Sequence, residues 1–96
     1  MKTGRTFKNN VGPQVRRLRY ARGWSQSVFA AKLQIAGMEA DRSGVSKIEA
    51  RLVFVDDGAL MYLAEVLRVE VQELLPKHDR TSRLHDFLAR LETTRF

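Results

Sequence analysis

The 96-residue chain has no cysteine, which excludes disulfides, thiolate metal sites and thiol catalysis. Its two histidines, His78 and His85, have no carboxylate frame around them and read as surface groups. Neither a metal nor any other cofactor is expected. Apolar runs of membrane-spanning length are missing, as is the apolar N-terminal stretch of a signal peptide, so the expected location is cytoplasmic. A glycine-rich phosphate loop is also missing. Glu49, Asp56 and Asp57 have no nucleophile or histidine at motif spacing, so catalysis is not expected. The most pointed absence is of one charge: residues 1–32 carry eight basic side chains and no acid.

The formal balance is +6, with a pI near 10.3. Residues 52–79 reverse the local sign, with six acids against Arg68 and Lys77. Charge segregated in this way suits a protein with one face turned to a polyanion. A 44% hydrophobic content in 96 residues is enough for one small core and leaves little room for a second.

Residues 1–10 hold Lys, Arg, Asn, Thr and Gly with Phe7 as the only anchor, and are expected to form a flexible basic arm. Gly12-Pro13 opens a first helix and Gly23 stops it, with Trp24 folding back on its end. Ser25 caps a second helix whose buried stripe is Phe29, Ala30 and Leu33, the small Ala30 permitting a close helix crossing. Residues 34–40 form a turn, with Ile35 and Met38 expected to tuck inward. Asp41 caps a third helix that runs to Arg51. That helix has Val45 and Ile48 on one side and Arg42, Ser43, Ser46 and Lys47 on the other. A short helix buried on one face and lined with Arg, Ser and Lys on the other suits a DNA major groove, where such side chains donate to base edges and phosphates.

Residues 52–55 are an apolar connection pinned to the core; a lone strand there would lack a partner. Asp56 or Asp57 caps a fourth helix with Leu60, Leu63, Ala64 and Leu67 on one face. Val69, Val71, Leu74 and Leu75 follow up to Pro76. After a polar linker, Ser82 can cap a last helix in which Leu84, Phe87, Leu88 and Leu91 make an apolar stripe. This stripe either packs on its own domain or forms a homodimer contact.

Two words in this pattern, Trp24-Ser-Gln with Phe29-Ala-Ala-Lys-Leu33, and Val45-Ser-Lys-Ile-Glu49, resemble the Cro/lambda-repressor-like (Xre-type) helix-turn-helix family. Residues 63–75 resemble its closing helices, so the likeness covers residues 11–76. It implies an all-α, five-helix repressor-like domain over residues 11–76, between the arm of residues 1–10 and a linker with an amphipathic helix over residues 77–96. The turn of residues 34–40 is longer than the family's.

The resemblance further implies base contacts from Arg42, Ser43 and Lys47. Ser46 is either a further contact or a helix-surface residue. Phosphate contacts are implied for Ser25 and Gln26. Arg51 stands where relatives have glycine and is expected to add another. Arg19 and Glu49 match a buried structural ion pair. The implied function is sequence-specific binding of double-stranded DNA by a dimeric repressor on a two-fold operator. The alternatives are an antitoxin-type autoregulator that also binds a toxin, and a protein-interaction adaptor on the same fold.

Overall fold

The computed structural model describes residues 7–76. They form four α-helices and one 3-10 turn: α1 (Gly12–Ala21), α2 (Gln26–Ala36), α3 (Arg42–Glu49), α4 (Asp57–Leu67) and the turn Val71–Leu74. The expected side-chain caps are in place. Ser25 Oγ accepts from Val28 N, Asp41 Oδ1 from Gly44 N and Asp56 Oδ1 from Ala59 N, at 3.1, 2.7 and 2.8 Å. Each satisfies an amide that the first helical turn leaves without an intrahelical partner. Gly23, with φ of 73°, ends α1, and Trp24 N reaches back to Arg19 O. Trp24 then stacks on Phe29, ring centroids 6.0 Å apart.

The core is drawn from every element. Val15 and Leu18 of α1, Phe29, Ala30 and Leu33 of α2, Val45 and Ile48 of α3, Leu63, Ala64 and Leu67 of α4, and Leu74 of the 3-10 turn are all buried. Burying side chains the size of Phe29 and Leu33 contributes roughly 1.5–3 kcal/mol each, which makes this cluster the main source of stability.

Four expectations are corrected. First, α2 continues to Ala36, so only the end of the interval 34–40 is a turn. Gly37, with φ of 117°, supplies the left-handed stop, and Met38 N bonds Leu33 O. The Gln34 side-chain amide bridges the turn to Ala40 O. Second, Met38 packs against the core, but Ile35 is 87% exposed. Continuing the helix past Leu33 rotates Ile35 off the buried stripe of Phe29, Ala30 and Leu33.

Third, α3 ends at Glu49, and Arg51 takes up the left-handed conformation (φ 65°) that glycine adopts most readily. Fourth, the expected fifth helix is the single 3-10 turn. Arg68 turns left-handed (φ 59°) after α4, Glu70 and Glu73 form a reciprocal capping box, and Pro76 leaves no room for a longer element. The connection 52–55 is not a strand: Val53 and Val55 face the core while Leu52 and Phe54 are exposed.

The described end of the N-terminal arm is held in place. Asn9 Oδ1 accepts from Val11 N and Gly12 N, while Asn9 Nδ2 donates to Ile48 O and Val53 O. One side chain thereby caps α1 and ties it to the end of α3. Residues 1–6 and 77–96 are outside the described residues, and with them the rest of the arm, Ser82 and the Leu84, Phe87, Leu88 and Leu91 stripe.

Candidate nucleic-acid interface

With Val45 and Ile48 buried, α3 must turn its other side outward, and there Arg42, Ser43 and Lys47 are exposed and Ser46 is half-buried. Asp41 caps this helix at the end that carries Arg42 and Ser43. Beside Arg42 lies a concavity of about 430 Å³ lined by Arg16, Arg19, Tyr20, Ser25, Gln26, Ser27 and Arg42. The N-terminus of α2, with its amides and positive dipole end, opens onto it. The structure thus brings together Arg42, Ser25 and Gln26, which the sequence singled out. It adds Arg16, Tyr20 and Ser27, which the sequence reading missed. The i, i+3, i+4 spacing of Arg16, Arg19 and Tyr20 on α1 was the available signal.

The buried base of this site is ionic. Arg19 donates from Nε to Glu49 Oε2 at 2.6 Å and from Nη2 to Glu49 Oε1 at 3.0 Å, and from Nη1 to Trp24 O at 2.8 Å. Both residues are buried, as the ion pair expected from the resemblance requires. Gln26 Nε2 donates to the same Oε1 at 3.1 Å, and Arg16 Nε lies 3.6 Å from it. Burial alone would push the Glu49 carboxyl up. The hydrogen bonds from Arg19 and Gln26 and the charges of Arg19 and Arg16 outweigh it and hold the group below its usual range. The hydrogen bond to Glu49 outweighs burial for Arg19 too and raises its value further.

Arg51, the further phosphate contact that the resemblance implies, is held by the described end of the arm. Its Nε donates to Asn9 O at 2.8 Å, its Nη2 to Asn10 Oδ1 at 2.7 Å, and its guanidinium lies 3.8 Å from the Phe7 ring centroid. The guanidinium is turned onto residues 7–10, and its left-handed backbone delivers it there. Among the described residues no group of three or more His, Asp or Glu side chains could hold a metal ion, and no helix is long and apolar enough to cross a membrane.

No protein-family model and no curated protein matches the chain. Solved structures do. The restriction-modification controller protein C.AhdI from Aeromonas hydrophila is 32% identical, with a TM-score of 0.59 over 68% of this chain and 87% of its own. The SinR protein in its complex with the SinI protein is 27% identical, with a TM-score of 0.58 over 88% of this chain and 79% of its own. A hypothetical transcription factor, NHTF from Neisseria, shares the fold at 23% identity, with a TM-score of 0.65 over 86% of this chain and 91% of its own. The capped pair α2 and α3, the outward Arg42, Ser43 and Lys47, and identity of this extent to a controller protein lead to one assignment. The chain belongs to the Cro/lambda-repressor-like (Xre-type) helix-turn-helix family of DNA-binding regulators.

Proposed function

We propose that the protein is a sequence-specific repressor that binds double-stranded DNA as a homodimer on a two-fold operator, in the cytoplasm. The observation that carries this reading is the exposed face of α3 set beside the basic concavity at the start of α2. In this reading Arg42, Ser43 and Lys47 address base edges, with Ser46 at the margin of the contact. Ser25 and Gln26 hold phosphate, and Arg42 bonds guanine O6 and N7. Arg51, whose guanidinium is held by Asn9 and Asn10, is a further phosphate contact in this reading.

Selection of bound sites from random duplex DNA tests the reading. Arg42→Ala should cost roughly 1–3 kcal/mol on the selected site and relax preference at one base pair. Gln26→Ala should weaken all sequences about equally. A selected motif unchanged by Arg42→Ala would remove Arg42 from base recognition. Affinity should also fall with salt, and a mutation that removes one phosphate-binding Lys or Arg should reduce the log–log slope by about 0.9. Affinity that stays flat as salt rises would instead favour the adaptor reading.

Dimerisation belongs to the same proposal, because one such small module makes few contacts and doubling them raises affinity. The motive is the stripe Leu84, Phe87, Leu88 and Leu91. Leu88→Asp should give folded monomers that bind the operator far more weakly, and sedimentation showing an unchanged dimer would remove the stripe from the interface.

A second reading, regulation through a protein partner such as a toxin, draws on the likeness to SinR, which was solved in complex with another protein. Co-purification with the product of a neighbouring gene tests it.

A further inference from the structure

The carboxylate of Glu49 serves more groups than an Arg19 ion pair needs. Oε2 is taken by Arg19 Nε at 2.6 Å, and Arg19 Nη2 closes the pair on Oε1 at 3.0 Å. That bidentate contact would be complete by itself. Oε1, however, also accepts from Gln26 Nε2 at 3.1 Å and lies 3.6 Å from Arg16 Nε. These two extra partners differ from Arg19 in where they sit. The Glu49 side chain has no exposed surface, whereas that of Arg16 is 55% exposed and Gln26 is half-buried at the first position of α2. Both line the basic concavity next to Arg42.

We propose that Glu49 is a positioning residue for DNA binding, its Oε1 holding the Gln26 amide and the Arg16 guanidinium together at the rim of the concavity so that both address one phosphate. This role rests on the DNA-binding reading above and deepens it.

The physical argument has three parts. Two groups drawn to one oxygen atom, the Gln26 amide by a hydrogen bond and the Arg16 guanidinium as an ion pair at 3.6 Å, are close enough together to meet a single phosphodiester. A glutamine or arginine side chain on a helix surface otherwise samples several rotamers, and holding it beforehand removes part of the entropy lost on binding. A carboxylate beneath a phosphate seat would ordinarily repel the anion, but here Arg19 neutralises it from the buried side, and the low proton affinity of Glu49 keeps it an acceptor at neutral pH. Arg16 thereby joins the phosphate-contacting set, as a residue whose spacing on α1 carried the only sequence signal for it.

A double-mutant cycle on the full-length chain tests this, with the duplex selected above as probe. Gln26→Ala alone should weaken binding about tenfold. In a Glu49→Gln background, at a temperature where melts show the protein folded, the same change should weaken it by less than about threefold, because the one acceptor oxygen left at position 49 is drawn to the Arg19 guanidinium. Arg16→Ala should show the same coupling to Glu49→Gln. A purely structural ion pair predicts equal fold-changes in both backgrounds, and that result overturns the proposal.

If Glu49→Gln does not fold, the wild-type protein still decides. The Gln26 side-chain amide, read by NMR without DNA, should lie outside the range of free glutamine amides and exchange slowly. Free-amide shifts with fast exchange overturn the role of Glu49 and leave the DNA reading intact. Absence of duplex binding by the wild-type chain overturns both.

Discussion

Glu49→Ala is expected to destabilise the domain by about 3–5 kcal/mol, the cost of leaving a buried charge without its partner. Arg19 is only 5% exposed, and its Nε and Nη2 both point at the carboxylate that the substitution removes. Trp24 O satisfies only Nη1. A loss of this size is a large share of what a small domain has, and thermal melts monitored by circular dichroism should show it as a clear drop in midpoint. A midpoint within a degree or two of wild type would show that the pair is not a buried contact in solution.

The same pair predicts a direction with pH. The folded-state value of the Glu49 carboxyl lies below that of the unfolded chain. Its contribution is therefore fully present above the usual carboxylate range and is lost as pH falls through the depressed folded value. The stability difference between wild type and Glu49→Gln should hold steady at neutral pH and narrow on acidification below the carboxylate range. A difference that widened on acidification would reverse the sign of the shift.

Gly12→Ala is expected to cost about 3 kcal/mol, toward the upper end for overpacking, because the opposing atoms cannot rotate away. A Cβ at Gly12 would lie 2.5 Å from Ile48 O and 2.7 Å from Glu49 O, both of them backbone carbonyls. The start of α1 is thus pressed against the end of α3, where Asn9 also bonds Ile48 O. Relief would require moving α1, and with it Arg16 and Arg19. Gly58→Ala is the matched control. It too lies in a helix, but its Cβ would meet only Asp56 Oδ1, at an ordinary 3.7 Å, so it should be neutral or stabilising by up to about 1 kcal/mol. Urea unfolding of the two variants side by side checks the contrast; equal stabilities would mean that the helix contact at Gly12 is looser than 2.5 Å implies.

What the sequence determined alone is what acts over a few residues. Ser25, Asp41 and Asp56 cap helices because a side-chain oxygen needs only the amide three residues on. Gly23 ends α1 because the left-handed stop is local to its own backbone. The stripes Phe29, Ala30 and Leu33, and Val45 and Ile48, follow from helical periodicity, and they oblige Arg42, Ser43 and Lys47 to face outward. The Arg19–Glu49 pair, thirty residues apart in the chain, was legible only through the family's words. The extent of α2 was not legible, because Gln34, Ile35 and Ala36 are good enough helix residues to be carried on until Gly37 stops them.

Tertiary structure alone decided the contacts between distant segments. Asn9 reaches Ile48 and Val53 across 39 and 44 positions, and Arg51 reaches back to Asn9 across 42. No local rule pairs such residues; they meet because packing α1 against α3 leaves the carbonyls of Ile48 and, beyond the helix, Val53 facing the Asn9 amide. The same packing sets Arg16, Tyr20 and Ser27 around the concavity with Gln26 and Arg42. Helical spacing says which residues share a face of one helix, but not which face of the next helix they meet. That depends on the crossing of the helices, which the close approach at Gly12 and the buried Glu49 hub hold in place.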